Sequence, residues 1–535
     1  MKLAALVLLA ASSAASAQTT CLEVQAGPIG SPREDLLRLA ELTGAAPVQP
    51  ELFRRWSSHT SGFLCPDLAP HSVTQESAKP LIELLPLESR SYFNSGYADD
   101  RNDGALWQGR GLSTELTGGV RVRWKFLSAA FAPVVAWQQN RGFFAPAANF
   151  AGYSPYANPF NLGQIDLPLR MGPGSFWTLD PGQSYVRADL FNVGIGFATE
   201  NLWWGPGTRN SLLMTNSGPG FPHFFLGTGK PQDIWIGWLE AQMVLGRLKQ
   251  SDYFVDDPSR SRRLLSAVMF NYEPRWIPGL FIGATRVFVD RIPPDGLPVG
   301  DYITRPFEGL GYNNNTDDNQ LASVYLRWVF PSAQLEVYGE FARDDYNHDF
   351  EDYVQDPGHS SSYMFGMQKM LAFGSHWVRF VVEETNTLQK PVPDPLRAVP
   401  IFYTHFDERQ GYTNGGQSLG AGIGPQADSE YAAVDWFYQR GRLGVWAERV
   451  LRNDRFFNDN VRVREDEDAE LGVGLRGMHS FQEFDVDWSV EHAYRYNLNF
   501  GPNTPTFKWQ LGITWWPGRT LLASQPLPGP PASLR

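Results

Sequence analysis

Residues 333–342 read AQLEVYGEFA, and the alternation in them decides the fold class. Leu335, Val337, Gly339 and Phe341 fall on one side of an extended chain, while Gln334, Glu336, Tyr338 and Glu340 fall on the other. A helix would scatter these residues around its circumference; a period of two gives a strand with one apolar and one polar face. The split recurs in 483–491, EFDVDWSVE, where Phe484, Val486, Trp488 and Val490 oppose Asp485, Asp487, Ser489 and Glu491. TFKWQLGITWW, residues 506–516, repeats it with Phe507, Trp509, Leu511, Ile513 and Trp515 on one face.

Working outward, such segments number about eighteen, the first near residue 105 and the last near 506. They include a hairpin turning at Gly118 and Gly119 and separate strands from 234 and 242. Beyond the first hairpin, short connections such as Phe330-Pro331-Ser332 and Gln439-Arg440-Gly441 alternate with long ones. The long ones cover roughly 139–182, 201–233, 290–320, 343–361 and 385–429. A soluble sandwich or propeller has no reason to gather its long loops at one end, and no 40- to 50-residue repeat supports a propeller. A transmembrane antiparallel β-barrel does gather them, with tight periplasmic turns, long external loops and an even strand number.

The composition agrees. Phe, Trp and Tyr make up 14% of the 535 residues, yet the mean hydropathy is negative, as expected of alternating strands with aromatic girdles. The longest apolar run, LSAAFAPVVAW at 127–137, contains a proline and falls short of the ~20 residues a membrane helix needs. A net charge of −12 argues against a nucleic-acid partner.

The chain opens MKLAALVLLAASSAASA, with Lys2, a short apolar run and Ala15-Ser16-Ala17, the pattern of a secretory signal peptide over 1–17. The residues before Cys21 do not form a lipoprotein site. A helical periplasmic region is expected over 18–100, since Ser31-Pro32-Arg33-Glu34 supplies a cap, a first-turn proline and a Glu three positions on. A second short helix is read around PELFRRWSS from Pro50. The only cysteines, Cys21 and Cys65, lie in this exported region and are read as a disulfide. The barrel is assigned to 101–518, and a Pro-rich tail to 519–535.

One long connection, ENLWWGPGTRNSLLMTNSGPGFPHFFLGTG at 200–229, follows neither period. Its Gly-Pro-Gly turns and aromatic residues make it a loop that folds back and packs. NLWWGPG followed by NSLLMTNSGPGFPHF resembles the signature of the Wzi-type capsule-assembly proteins of the outer membrane. NDGALWQGRGL from Asn102 and LDPGQSYVRADLFNVGIGFATEN from Leu179 are similar to the same family. The resemblance implies an eighteen-stranded barrel with a helical N-terminal bundle below it, a blocked lumen, and a lectin-like, non-enzymatic role in holding capsular polysaccharide. It also implies outer-membrane lipids as neighbours; a monomer is expected, with no cofactor or metal. A porin for small solutes and, further off, an outer-membrane hydrolase are the competing readings.

Aromatic rings beside hydrogen-bonding groups suit sugars, which present C–H faces and paired hydroxyls. The candidates are Trp203, Trp204, Arg209, Asn210, Asn216 and His223, with Tyr153, Tyr156 and Trp177 from the preceding long loop. A girdle or loop-core role competes for Trp203 and Trp204, and a lumenal salt bridge for Arg209. Gly416-Gln417-Ser418-Leu419-Gly420 fits G-x-S-x-G but lacks the strand and helix of a nucleophile elbow. The Asp99–Gly104 run fails as a calcium loop because Arg101 takes a ligand position. The acidic run at 465–468 and NNNTDDN at 313–319 read as solvated external loop.

Overall fold

A computed structural model describes residues 22–24, 31–44, 48, 53–54, 62–64, 80–99, 101–161, 163–255, 262–292, 299–307, 318–344, 350–388, 401–438, 440–463 and 466–517. The signal peptide, both cysteines and the Pro-rich tail lie outside them.

Strand follows strand in antiparallel register, and the order of pairing returns to its start where Thr504–Trp515 pairs with Leu87–Asn94. The AQLEVYGEFA alternation appears as the strand Leu335–Asp344, paired with Asn319–Phe330 on one side and Ser361–Phe373 on the other. Burial along Asp428–Tyr438 alternates residue by residue, with Tyr431 and Asp435 inward and Val434 and Trp436 outward. No helix among the described residues is long and apolar enough to cross a membrane.

The tight turns gather at one end. Phe191 and Asn192 join Tyr185–Leu190 to Val193–Ala198 with φ of 50° and 65°, the left-handed pair that matches strand twist in two-residue hairpins. The long connections all leave from the other end.

Four expectations about the wall need correction. The Gly118-Gly119 step is a bend, not a hairpin: Gly111–Thr117 and Val120–Trp124 form one crossing, beside Val134–Gln138 and Leu127–Phe131 respectively. A Cβ on Gly119 would stand 2.0 Å from the Phe131 carbonyl oxygen, so the close approach needs glycine. The wall also begins earlier than residue 101, with Leu81–Leu84 pairing with Val120–Trp124 and Leu87–Asn94 with Gly111–Thr117. His223–Thr228, expected to be loop, is a wall strand between Val193–Ala198 and Gly237–Lys249. The strands expected from 234 and 242 are one crossing, Gly237–Lys249.

The helix Pro32–Leu42 forms with the expected cap, Glu34 N–H donating to Ser31 Oγ at 3.3 Å. It is not a bundle standing apart from the barrel. Asp35 pairs with Arg379 and Arg442, Arg38 with Glu336, and Glu41 with Arg327. Those partners are wall residues close to the tight turns, so the helix sits inside the barrel at its short-turn end. Its Leu36, Leu39 and Leu42 join the main buried cluster. Of the second expected helix, Phe53–Arg54 is instead a short strand paired with Trp203–Trp204; the rest lies outside the described residues.

Leu22–Val24 pairs antiparallel with Gly62–Leu64, Leu22 facing Leu64. Their chain neighbours are Cys21 and Cys65, which gives the disulfide reading a direct test. Tryptic peptides analysed without reduction are expected to carry the two joined; two alkylatable thiols would refute the bridge.

Candidate functional site: the filled lumen and its outer cap

The segment 200–222 descends into the barrel, where its polar groups meet carboxylates of the wall. Gly205 adopts φ 120°, and a Cβ on Gly207 would lie 1.5 Å from the Asn210 carbonyl oxygen. The Gly-Pro-Gly sequence therefore builds a turn that no side chain at those positions permits. The turn aims successive backbone amides at Glu383: Thr208 N–H at 2.9 Å, Arg209 N–H at 3.0 Å and Asn210 N–H at 2.7 Å. Thr208 and Tyr338 hydroxyls donate to the same carboxylate at 2.8 Å each. Glu340 takes the next step, accepting from Ser211 Oγ at 2.9 Å and Leu212 N–H at 2.8 Å. A buried carboxylate is costly unless its oxygens are satisfied, and here the loop backbone does much of that.

A second segment, 401–427, packs against the first. Thr215 N–H donates to the Leu419 carbonyl at 2.8 Å and its hydroxyl to Gly420 at 2.6 Å. Tyr403 donates to the Leu212 carbonyl, and its ring stacks on Tyr412 with centroids 5.9 Å apart. Arg263, fully buried on the wall, donates to the carbonyls of Gly411 at 2.7 Å and Thr413 at 2.8 Å. The Gly416–Gly420 stretch belongs to this packing: Ser418 is buried in a small hairpin and adjoins no helix.

Most candidates of 200–229 thus lie inside the barrel and not on a platform at its mouth. Trp203 and Trp204 are 1% exposed. Arg209 forms the lumenal ion pair, its Nη2 2.6 Å from Glu448, and its guanidinium stacks over the rings of Tyr431 and Trp446. Burial opposes the charge on Arg209, but Glu448 outweighs it and holds the pKa above the usual arginine value. Asn210 Nδ2 donates to Thr385 Oγ1 at 3.2 Å, Asn216 Nδ2 to the Asn102 carbonyl at 3.1 Å, and His223 Nδ1 is 2.7 Å from the Phe221 carbonyl. Trp177 is 72% exposed, but on a wall strand, Phe176–Asp180, where it shares the outward face with Leu179. It belongs to the outer surface of the barrel.

Tyr153 and Tyr156 keep half-buried rings in the loops above the lumen. Tyr153 packs edge-on against Phe254 at 5.2 Å, and the exposed Arg409 donates to its hydroxyl at 3.2 Å. Tyr156 packs edge-on against Tyr253 at 5.8 Å. Beside them, Phe160 meets Phe456 at 5.0 Å and Phe500 at 5.4 Å. Asn497, Asn499 and Phe500 all take positive φ, near 50° to 58°, to present this corner. Sequence reasoning did not single out Arg409 or the phenylalanine corner; the asparagines of YNLNF were the available signal, since Asn tolerates the left-handed region better than most residues.

Of the acidic run at 465–468, Asp466 and Glu467 are exposed, as expected, and Asp468 is buried; of 313–319 the described residues Asp318 and Asn319 are buried. Asp468 is buried in a two-point pair with Arg495, both contacts 2.6 Å, and Asp318 pairs with Arg305 at 2.6 Å. Asp99, Glu470 and Glu491 converge closely enough to suggest a metal. Lys508 Nζ already takes the centre, 2.5, 3.1 and 3.0 Å from the three. The cluster is a salt-bridge network, and Arg101 extends it from Asp99 to Glu448.

Among solved structures, the chain is similar to Wzi of Escherichia coli, described as an outer-membrane protein involved in group 1 capsule assembly and a carbohydrate-binding β-barrel. The match has a TM-score of 0.55 and 13% identity, and covers 80% of this chain and 84% of that one. Acinetobacter baumannii OccAB2 and Pseudomonas aeruginosa OccK2 in complex with glucuronate match at 10% identity, with TM-scores of 0.41 and 0.42; each covers 81% of this chain and 98% of the other. No curated protein matches by sequence. The family described as capsule assembly protein Wzi matches residues 107–499, most of the wall and both lumenal segments, and the chain belongs to that family.

Proposed function

We propose that this protein is an outer-membrane barrel of eighteen crossings that binds surface polysaccharide and holds it during capsule assembly. The observation that carries the reading is the filled interior: a helix at the short-turn end and two loop segments above it occupy the lumen through buried hydrogen bonds. A porin for small solutes needs the opposite. The crossing count is supported by joining strands that share neighbours across a bend, such as Leu81–Leu84 with Leu87–Asn94. The carbohydrate binding described for the Escherichia coli protein supports the ligand class. The lack of a nucleophile elbow at Ser418 favours binding over hydrolysis. The protein acts as a monomer among outer-membrane lipids.

Tyr153, Tyr156 and Arg409 are the residues best placed to meet a glycan, since they combine accessible rings with a guanidinium at the loop end. Losing a stacking ring costs about 0.5 to 1.5 kcal/mol, so Tyr153→Ala/Tyr156→Ala is expected to weaken glycan retention on cells roughly tenfold. Wild type and variant are compared at matched barrel levels in the outer-membrane fraction. Unchanged retention in the variant, with loss on deleting the whole protein, would move the site elsewhere. Recovery of the protein as a soluble species, without heat-modifiable migration, would sink the membrane reading itself.

A further inference from the structure

Acidic residues outnumber Lys and Arg by 57 to 45 in the chain, yet three arginines gather on the outer rim of the barrel with no ion pair among the described residues. Arg110 and Arg141 stand just beyond the outer ends of Gly111–Thr117 and Val134–Gln138. They face each other across an antiparallel bridge, the Arg141 N–H donating to the Arg110 carbonyl at 2.7 Å. Like charges set opposite each other in this way repel. Arg170 brings a third charge to the same place. Its Nη1 lies 3.4 Å from where a Cβ on Gly142 would stand, and Arg110 Nη1 donates to the carbonyl of that glycine at 2.6 Å. The described residues include all of 101–161 and 163–255, so the chain on both sides of each arginine is in view. In the lumen, by contrast, Arg209, Arg327, Arg379, Arg495 and Lys508 each hold a carboxylate.

The contacts that fix these side chains leave their charge intact. Arg110 Nε donates to the Ser95 carbonyl at 2.9 Å, and Arg170 Nη2 to the carbonyls of Asn140 at 2.8 Å and Pro173 at 2.7 Å. A neutral carbonyl orients a guanidinium without supplying a countercharge. Arg170 Nε is buried and has no hydrogen-bond partner, while Arg141 is exposed and Arg110 half-buried. Donors thus remain on a cationic rim held in place by backbone, and the planar fork of a guanidinium matches a carboxylate. A ring is close by in the chain. Phe144, two residues past Gly142, is 45% exposed; Asn499 Nδ2 donates to its carbonyl at 2.8 Å, and its ring covers Gly501. Guanidiniums next to an accessible ring suit a sugar that carries an acid group.

We propose that Arg110, Arg141 and Arg170 bind the carboxylate of an acidic sugar, with Phe144 against the sugar ring, so that the polysaccharide held by the loops is of the acidic class. The inference rests on the polysaccharide reading above and adds a second contact to that of Tyr153, Tyr156 and Arg409.

The test uses the full chain in detergent micelles. The probe is surface polysaccharide purified from the cells that make this protein, in native form and after carbodiimide and borohydride reduction of its carboxylates. The Arg141 side chain makes no hydrogen bond among the described residues, so Arg141→Gln is expected to keep the fold and to lose about fivefold in affinity for the native glycan, the worth of one exposed charge contact. Arg110→Gln/Arg141→Gln/Arg170→Gln is expected to lose roughly fiftyfold. The carboxyl-reduced glycan is expected to bind wild type no better than the native glycan binds the triple variant. Added salt is expected to weaken native-glycan binding by wild type more than by that variant. Arg275→Gln, at an exposed arginine of the short-turn end, is expected to change nothing. Heat-modifiable migration confirms folding; should the triple variant not fold, Arg141→Glu takes its place and is expected to lose more than Arg141→Gln. Equal binding of native and reduced glycan, or equal binding by wild type and Arg141→Gln, overturns the acidic-sugar site and leaves the polysaccharide reading standing. Binding of neither glycan by wild type would instead overturn that reading.

Discussion

Glu383→Ala is expected to loosen the centre of the lumen while leaving the wall intact. The glutamate is 3% exposed and accepts three consecutive backbone amides and two hydroxyls. Alanine at this position strands the amides of Thr208, Arg209 and Asn210 in a buried setting, and each orphaned donor costs about 1 to 3 kcal/mol. Partial relaxation and water entry bring the sum to roughly 3 to 5 kcal/mol. That raises the open population of the turn by about a hundredfold or more, since 1.4 kcal/mol is about a factor of ten. Two measurements read this. Hydrogen exchange at residues 205–215 should accelerate by that factor, and planar-bilayer recordings, near silent for wild type, should show channel openings. Glu383→Gln keeps one acceptor oxygen and is expected to fall between. Unchanged exchange in a folded Glu383→Ala barrel would mean that the hydrophobic contacts of Trp204, Leu212 and Leu213 hold the turn without the carboxylate.

The residues that bind the turn show what the chain could reveal before its structure was known. Glu336, Tyr338 and Glu340 were visible as the polar face of AQLEVYGEFA, and in the fold that face is the buried, inward one. What they would hold was not visible, because partners distant in sequence meet them: Arg38 at Glu336, the Thr208 hydroxyl at Tyr338, and the Ser211 hydroxyl and Leu212 backbone amide at Glu340. A backbone donor leaves no mark on residue type.

The strand count illustrates the same limit. His223–Thr228 escaped period-two reading because both of its faces are apolar: Phe225 packs inward under Arg187, while Phe224 and Leu226 face outward. Leu81–Leu84 and Leu87–Asn94 escaped because Leu85 and Pro86 interrupt the alternation. Two segments were counted twice, at the Gly118-Gly119 bend and where Trp235, with φ 70°, distorts the chain before Gly237–Lys249. Omissions and duplications offset each other, so the number reached from alternation carries less weight than the individual pairings. Trp203 and Trp204 show the matching limit at the site, since a tryptophan pair between glycine turns looks the same whether it caps a barrel or fills it.

Removing the charge of Asp35 is expected to free the helix at the short-turn end. Arg379 and Arg442 each lie 2.8 Å from its two oxygens. Arg379 retains Asp435 at 2.7 Å without it, whereas Arg442 makes no other ion pair among the described residues. Asp35→Ala therefore leaves a buried guanidinium unpaired, at a cost of about 3 kcal/mol. The pH dependence has a definite sign. Burial alone would raise the Asp35 pKa, but the two arginines outweigh it and bring it down from 3.8 to about 2. A group whose folded pKa is depressed contributes stability that is complete above its unfolded value and is lost as pH falls through the folded one. A shift of this size corresponds to about 2 kcal/mol. In wild type, hydrogen exchange within Pro32–Leu42 should thus be insensitive to this group from pH 7 to about 4, after allowing for intrinsic rates, and should gain protection loss between about pH 4 and 2. In Asp35→Asn the loss should be present already at pH 7 and the acid-induced step should vanish. An acid step that persists unchanged in Asp35→Asn would assign the titration to the other anchors, Glu41 with Arg327 and Glu336 with Arg38, and leave Asp35 a minor contact.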